Sequence, residues 1–132
     1  MRGWAKLGIR IVVLSYVLIC SPSALPHHAF AQTFVFERVV KIEGSVAEFL
    51  FRNPHSVVLV STSGENGRMA IWAAEWGGAG QLSRQGIEKS TLIPGDHVII
   101  IGNPSRNSAD RRMLLQSLTR SSDGWRWTSG SQ

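Results

Sequence analysis

The sequence predicts an all-β fold, a small five-stranded barrel with one short helix between the third and fourth strands. Three observations predict it. Runs of apolar and β-branched residues of strand length recur between turn signals. The first run is long and carries a glycine, Gly44, in its middle. One helix-like segment interrupts the runs, after the third.

The first strand is expected over Val39 to Phe51. Val40, Ile42 and Val46 fall on one face at a period of two, with Lys41, Glu43 and Ser45 opposite. An interior glycine in such a strand marks a bulge or sharp bend of the kind that curls a sheet into a barrel. Arg52-Asn53-Pro54 forms the turn, because proline lacks an N–H and asparagine turns the backbone readily. The second strand is expected over His55 to Thr62. Gly64-Glu65-Asn66-Gly67 signals a hairpin, since Asn-Gly readily takes positive φ. The third strand follows over Arg68 to Trp76.

Gly77-Gly78-Ala79-Gly80 then opens a link to a short helix over Gln81 to Gln85, closed by Gly86 at the C-cap. Pro94-Gly95 is a tight turn leading into a fourth strand over His97 to Gly102. The unbroken β-branched run in that strand predicts burial on both faces. Asn103 to Asp110 is a polar loop, and Arg112 to Arg120 is the fifth strand. Three strands, a short helix and two more strands, with a glycine-bent first strand, is the order of an OB-like barrel. The domain is set at 32–121, with a polar C-terminal tail over 122–132 that carries Trp125 and Trp127. Those two rings are expected to cover an apolar edge.

Ahead of the strands stands a signal peptide over 1–26. Arg2, Lys6 and Arg10 make a positive start, and Ile11 to Cys20 is an uninterrupted apolar run. Ser21 to Ala24 break that run with small and turn-forming residues. Two cut points fit, near Ala24 and after Ala31 in Ala29-Phe30-Ala31. The apolar run is shorter than the roughly 20 residues of a membrane span. No stable span is expected after cleavage, and the expected location is periplasmic or secreted. An uncleaved anchor, and lipid attachment at Cys20, are the competing readings; Ile19 is bulky where a lipid-attachment site wants a small residue.

The whole chain has 14 Lys and Arg against 9 Asp and Glu, a net +5. Three of the positive residues lie in the leader and no acidic one does, so the remainder carries +2. A weak, spread positive charge gives no support to a nucleic-acid partner. The single cysteine, Cys20, is also in the leader. The mature domain therefore has no disulfide and no thiolate for metal binding or catalysis.

Four short motifs follow one another: His27-His28-Ala29-Phe30-Ala31, Asn53-Pro54-His55, Trp72-Ala73-Ala74-Glu75, and Leu92-Ile93-Pro94-Gly95-Asp96-His97-Val98. In order and spacing the chain resembles a bacterial family of small exported proteins classed as a domain of unknown function. That family has a His-His-Ser-Phe-Ala-like start, an Asn-Pro-His turn and a Pro-Gly-Asp turn. The resemblance runs from about His27 to Ser121. It implies export to the periplasm and implies no activity. Ala29 replaces the usual serine, and Trp76 stands where a small residue is usual.

The residues suggest two uses of different kinds. A binding module would take a small molecule or a protein partner on Asn53, His55, Trp72, Glu75 and Trp76. Asn53 and His55 would project from a rigid corner. Trp72 and Trp76 share a face of the third strand, where exposed rings stack on ligands and buried rings fill the core. The alternative is a copper or zinc site on His27, His28, His55 and Glu75, imidazole being the commonest metal ligand. The two adjacent histidines survive only if the leader is cut before them. A small enzyme is a third class. No nucleophile elbow, phosphate-cradling loop or paired carboxylates support it.

Overall fold

The computed structural model describes residues 31–64 and 66–130. Among the described residues, six strands run in chain order. They are β1 (Val40–Leu50), β2 (Val57–Ser63), β3 (Met69–Glu75), β4 (His97–Pro104), β5 (Arg112–Arg120) and β6 (Arg126–Thr128). A helix, α1 (Ala79–Arg84), and a 3-10 turn (Lys89–Thr91) lie between β3 and β4. The sheet order is β3-β2-β1-β4-β5-β6, and a parallel pairing of β3 with β5 closes the first five strands into a barrel. This is the OB-like architecture, with β6 added outside the closed ring.

β1 belongs to both halves of the barrel. Its first part pairs with β4 and its second with β2, and Ser45 is registered with both His97 and Ser61. The neighbouring Gly44 permits that crossover, because an added Cβ would meet the Ser61 carbonyl oxygen at 2.1 Å. The register irregularity itself falls between Val46 and Glu48, not at the glycine. Gly44 is thus a point of close strand approach, and the bulge comes just after it.

The other turn signals hold with small shifts. Gly67 and Gly95 take φ of 68° and 94°. At the second, the Asp96 N–H donates to Ile93 O, with Pro94 and Gly95 between them. β2 starts at Val57, two residues after His55, and α1 begins at Ala79, two before the expected Gln81. Gly86, φ 77°, follows the helix as expected.

Two expectations need correction. β4 is not buried on both faces. Val98 and Ile100 are fully buried, whereas Ile101 is 37% exposed and His97 is exposed. A small barrel has one interior, and Ile101 lies on the outer side of its strand, so an all-apolar run still alternates. The 122–132 segment also holds more than a polar tail. β6 pairs with β5, matching Leu118 with Trp127. Trp125 and Trp127 pack on the core, as expected of them.

The core is built by alternate residues of every strand of the barrel. Val46, Phe49, Val58, Val60, Ala74, Met113, Leu115 and Leu118 point inward, and Leu82, Ile87 and Leu92 close one end. Phe34, fully buried, is contributed by the segment before β1. That segment is strapped to the β4–β5 loop. Val35 N–H donates to Pro104 O at 2.9 Å, and Arg106 N–H to Thr33 O at 2.9 Å.

Candidate functional site

The β1–β2 turn is held from three sides. Ser56, fully buried, donates its hydroxyl to Arg52 O at 3.2 Å. Its backbone N–H donates to Gly77 O, and its carbonyl accepts from Trp76 N–H. Asn53 Oδ1 accepts from Gly80 N–H at 3.2 Å, and Ala79 N–H donates to Arg52 O at 3.0 Å. The turn therefore rests on the first residues of α1. Only glycine fits at position 78, where a Cβ would lie 2.6 Å from Pro54 O and 2.7 Å from Asn53 Oδ1.

This packing leaves an open cleft of ≈ 690 Å³ beside the turn. Pro54 and His55 form one wall. Trp76, Gly77 and Gly78 continue it into Gln81 and Leu82 of α1. Leu114, Leu115 and Gln116 of β5 face them, with Trp127 and Ser129 beyond and Phe36 at the rim. No Asp, Glu, Lys or Arg lines the cleft among the described residues.

The polar groups of the walls are mostly engaged. Gln116 Nε2 donates to Asn103 Oδ1 at 2.9 Å, and Ser129 Oγ donates to Gln116 Oε1 at 2.6 Å. Asn103, 5% exposed, donates in turn to Phe36 O and Arg38 O. One network thus ties the strap, β4, β5 and the end of β6 together along one side of the cleft. Trp127 Nε1 donates to Gln85 Oε1 at 2.9 Å. Trp76 differs. It is 2% exposed, and its Nε1 is buried with no partner among the described residues.

Of the residues expected to bind a ligand, His55 and Trp76 line the cleft. Asn53 acts behind the wall by holding α1, and Trp72 packs against the core. Glu75 and Trp76 sit at the β3 end beside the turn, in register with or next to Val57 and Ser56. The Glu75 carboxylate, however, pairs with the Arg112 guanidinium across the β3–β5 closure. That hydrogen bond raises Arg112 above its usual value. His97, outside the site, is the first residue of β4; its Nε2 lies 3.1 Å from Glu43 Oε1, and this contact holds the Glu43 carboxyl below its usual value.

Among the described residues, no group of three or more His, Cys, Asp or Glu side chains is arranged to hold a metal ion. His27 and His28, half of the expected copper or zinc set, lie outside the described residues, as does the segment 1–26 that was expected to be a signal peptide. No helix among the described residues is long and apolar enough to cross a membrane.

Sequence reading missed the far wall. Leu114 and Gln116 look like the outer face of an ordinary strand, and Trp127 lies in a polar stretch. An apolar residue on the outward face of β5, opposite Met113 and Leu115, is the one local signal that could have pointed there.

The comparisons with known proteins agree with the expectation of a domain-of-unknown-function family. The profile of a family of unknown function, DUF6152, matches residues 14–113. The chain belongs to that family. No curated protein and no solved structure matched it.

Proposed function

We propose that this member of a family of unknown function is an exported binding module, which takes a small ligand in the cleft beside the β1–β2 turn. The observation that carries the reading is the cleft itself, ≈ 690 Å³ with walls of leucine, proline and aromatic rings and a few fixed polar groups. Small-molecule sites have this character, with volumes of about 300–1,000 Å³. Apart from Phe36, Trp127 and Ser129, the walls come from the bonded β1–β2 turn, the end of β3, α1 and β5, so little ordering of these is needed on binding. His55 and Gln81 supply polar groups on one side, and Gln116, held by Asn103, supplies them on the other.

Amide chemical-shift mapping of the full chain against a library of small fragments tests the site. Shifts concentrated on His55, Gln81, Leu115, Gln116 and Trp127 support it. A library that moves none of these sinks it. His55→Ala adds a second arm, in which weaker binding at an unchanged melting temperature is expected. Export rests on the leader-like sequence of residues 2–31. Intact-mass measurement of the protein recovered from a bacterial periplasm tests it; recovery only in the cytoplasm, at full mass, contradicts it.

A further inference from the structure

The Trp76 indole poses a specific chemical question. Buried donors are nearly always paired, and an exception calls for a cause. Trp76 Nε1 is the one buried side-chain nitrogen or oxygen without a partner among the described residues, and its ring lines the cleft. Two rings pack on it: Phe49, tilted, with centroids 5.9 Å apart, and Trp127, in an edge-to-face contact with centroids 5.0 Å apart. Trp127 belongs to the three-residue β6 and is tethered through its own indole to Gln85. The buried donor therefore belongs to a ring in contact with Trp127, which reaches the cleft from a three-residue strand.

We propose, resting on the reading of the cleft as a ligand site, that it takes an uncharged, largely apolar guest carrying one carbonyl-type oxygen. That oxygen accepts the N–H of Trp76 once the guest has pushed Trp127 aside. Among the described residues, no carboxylate, ammonium or guanidinium lines the walls to balance a charge, and an unbalanced charge is strongly disfavoured in apolar surroundings. The aromatic and leucine surfaces take the body of the guest by ordinary apolar burial. The oxygen adds selectivity, because a guest without it leaves the donor unpaired.

Two matched probes separate these contributions. 2-Acetylnaphthalene carries the oxygen, and 2-isopropylnaphthalene has a methyl group in its place. On the full chain, the ketone is expected to bind about ten-fold more tightly, the equivalent of one hydrogen bond. It should also move the Trp76 indole N–H resonance downfield. Trp76→Phe should abolish the preference while the hydrocarbon still binds. The wild-type indole resonance gives a readout that does not depend on that variant folding. Equal binding of both probes at the cleft, with the Trp76 N–H unmoved, overturns the acceptor assignment and leaves the binding-module reading standing. If neither probe perturbs the cleft, the small-molecule reading fails and this proposal with it.

Discussion

A Cβ atom on Gly44 would sit 2.1 Å from the carbonyl oxygen of Ser61. The contact is with backbone, so no side-chain rotation relieves it. It lies where β1 passes from its pairing with β4 to its pairing with β2. Gly44→Ala must therefore force two strands apart at the corner of the barrel. The expected loss is about 3 kcal/mol or more, read from urea unfolding midpoints at constant slope. A loss below about 1 kcal/mol would show that the corner is looser than its geometry.

Asn103 gives a second prediction. Its amide satisfies two carbonyls of the strap and orients Gln116. Asn103→Leu leaves those groups without their partner, at a cost of about 1–3 kcal/mol. Amide hydrogen exchange over residues 34–38 should quicken more than exchange in β2, which shares no bond with Asn103. Uniform quickening everywhere would instead signal a general loss of stability.

The Glu75–Arg112 pair crosses the closure between β3 and β5. The Arg112 side chain is 45% exposed, so solvent screens much of the attraction. Glu75→Gln should cost less than about 1 kcal/mol, and the difference should shrink further in high salt. A loss of several kcal/mol that ignores salt would mean the pair does more than bridge the strands.

Acid stability should depend on Asp123. Arg120 donates to it through Nε at 3.0 Å and Nη2 at 2.8 Å, and the Trp125 amide adds a third bond. These hold the carboxyl at about 2, against an ordinary 3.8. A depressed folded value contributes stability above the unfolded value, and that contribution is lost as pH falls through the folded one. Wild type and Asp123→Asn should therefore converge in stability between about pH 4 and pH 2. Glu43, lowered through its bond to His97, acts in the same direction from just below 4.5. Parallel curves across that window would contradict the assignment. Both carboxylates are exposed, so the effect is small.

The strands were legible because local chemistry encodes them. Arg112 to Arg120 emerges with its expected limits, and the Pro94-Gly95 turn is present, with Gly95 at positive φ. The faces of β4 were less legible, since four consecutive apolar residues from Val98 give no period to read. Part of one wall of the site was visible in Pro54, His55 and Trp76, which are neighbours of turn and helix signals. Leu114, Gln116 and Trp127 reach the same cleft only because β3 closes on β5 and β6 follows β5. Such a meeting of distant segments leaves no trace in any short window of sequence.

The β3–β5 closure is the shortest joint in the ring. It registers three residue pairs, Ala73 with Arg112, Ala74 with Met113 and Glu75 with Leu114, whereas β2 and β3 register seven. A hoop parts at its weakest stave. When this one parts, the ring becomes a ribbon with two free margins, β3 at one and β6 at the other. Trp76 and Leu114, which face each other across the cleft, would then ride on opposite sides of the gap. Anything lodged between them would act as a clasp, and its occupancy would register as the rate at which the hoop springs open.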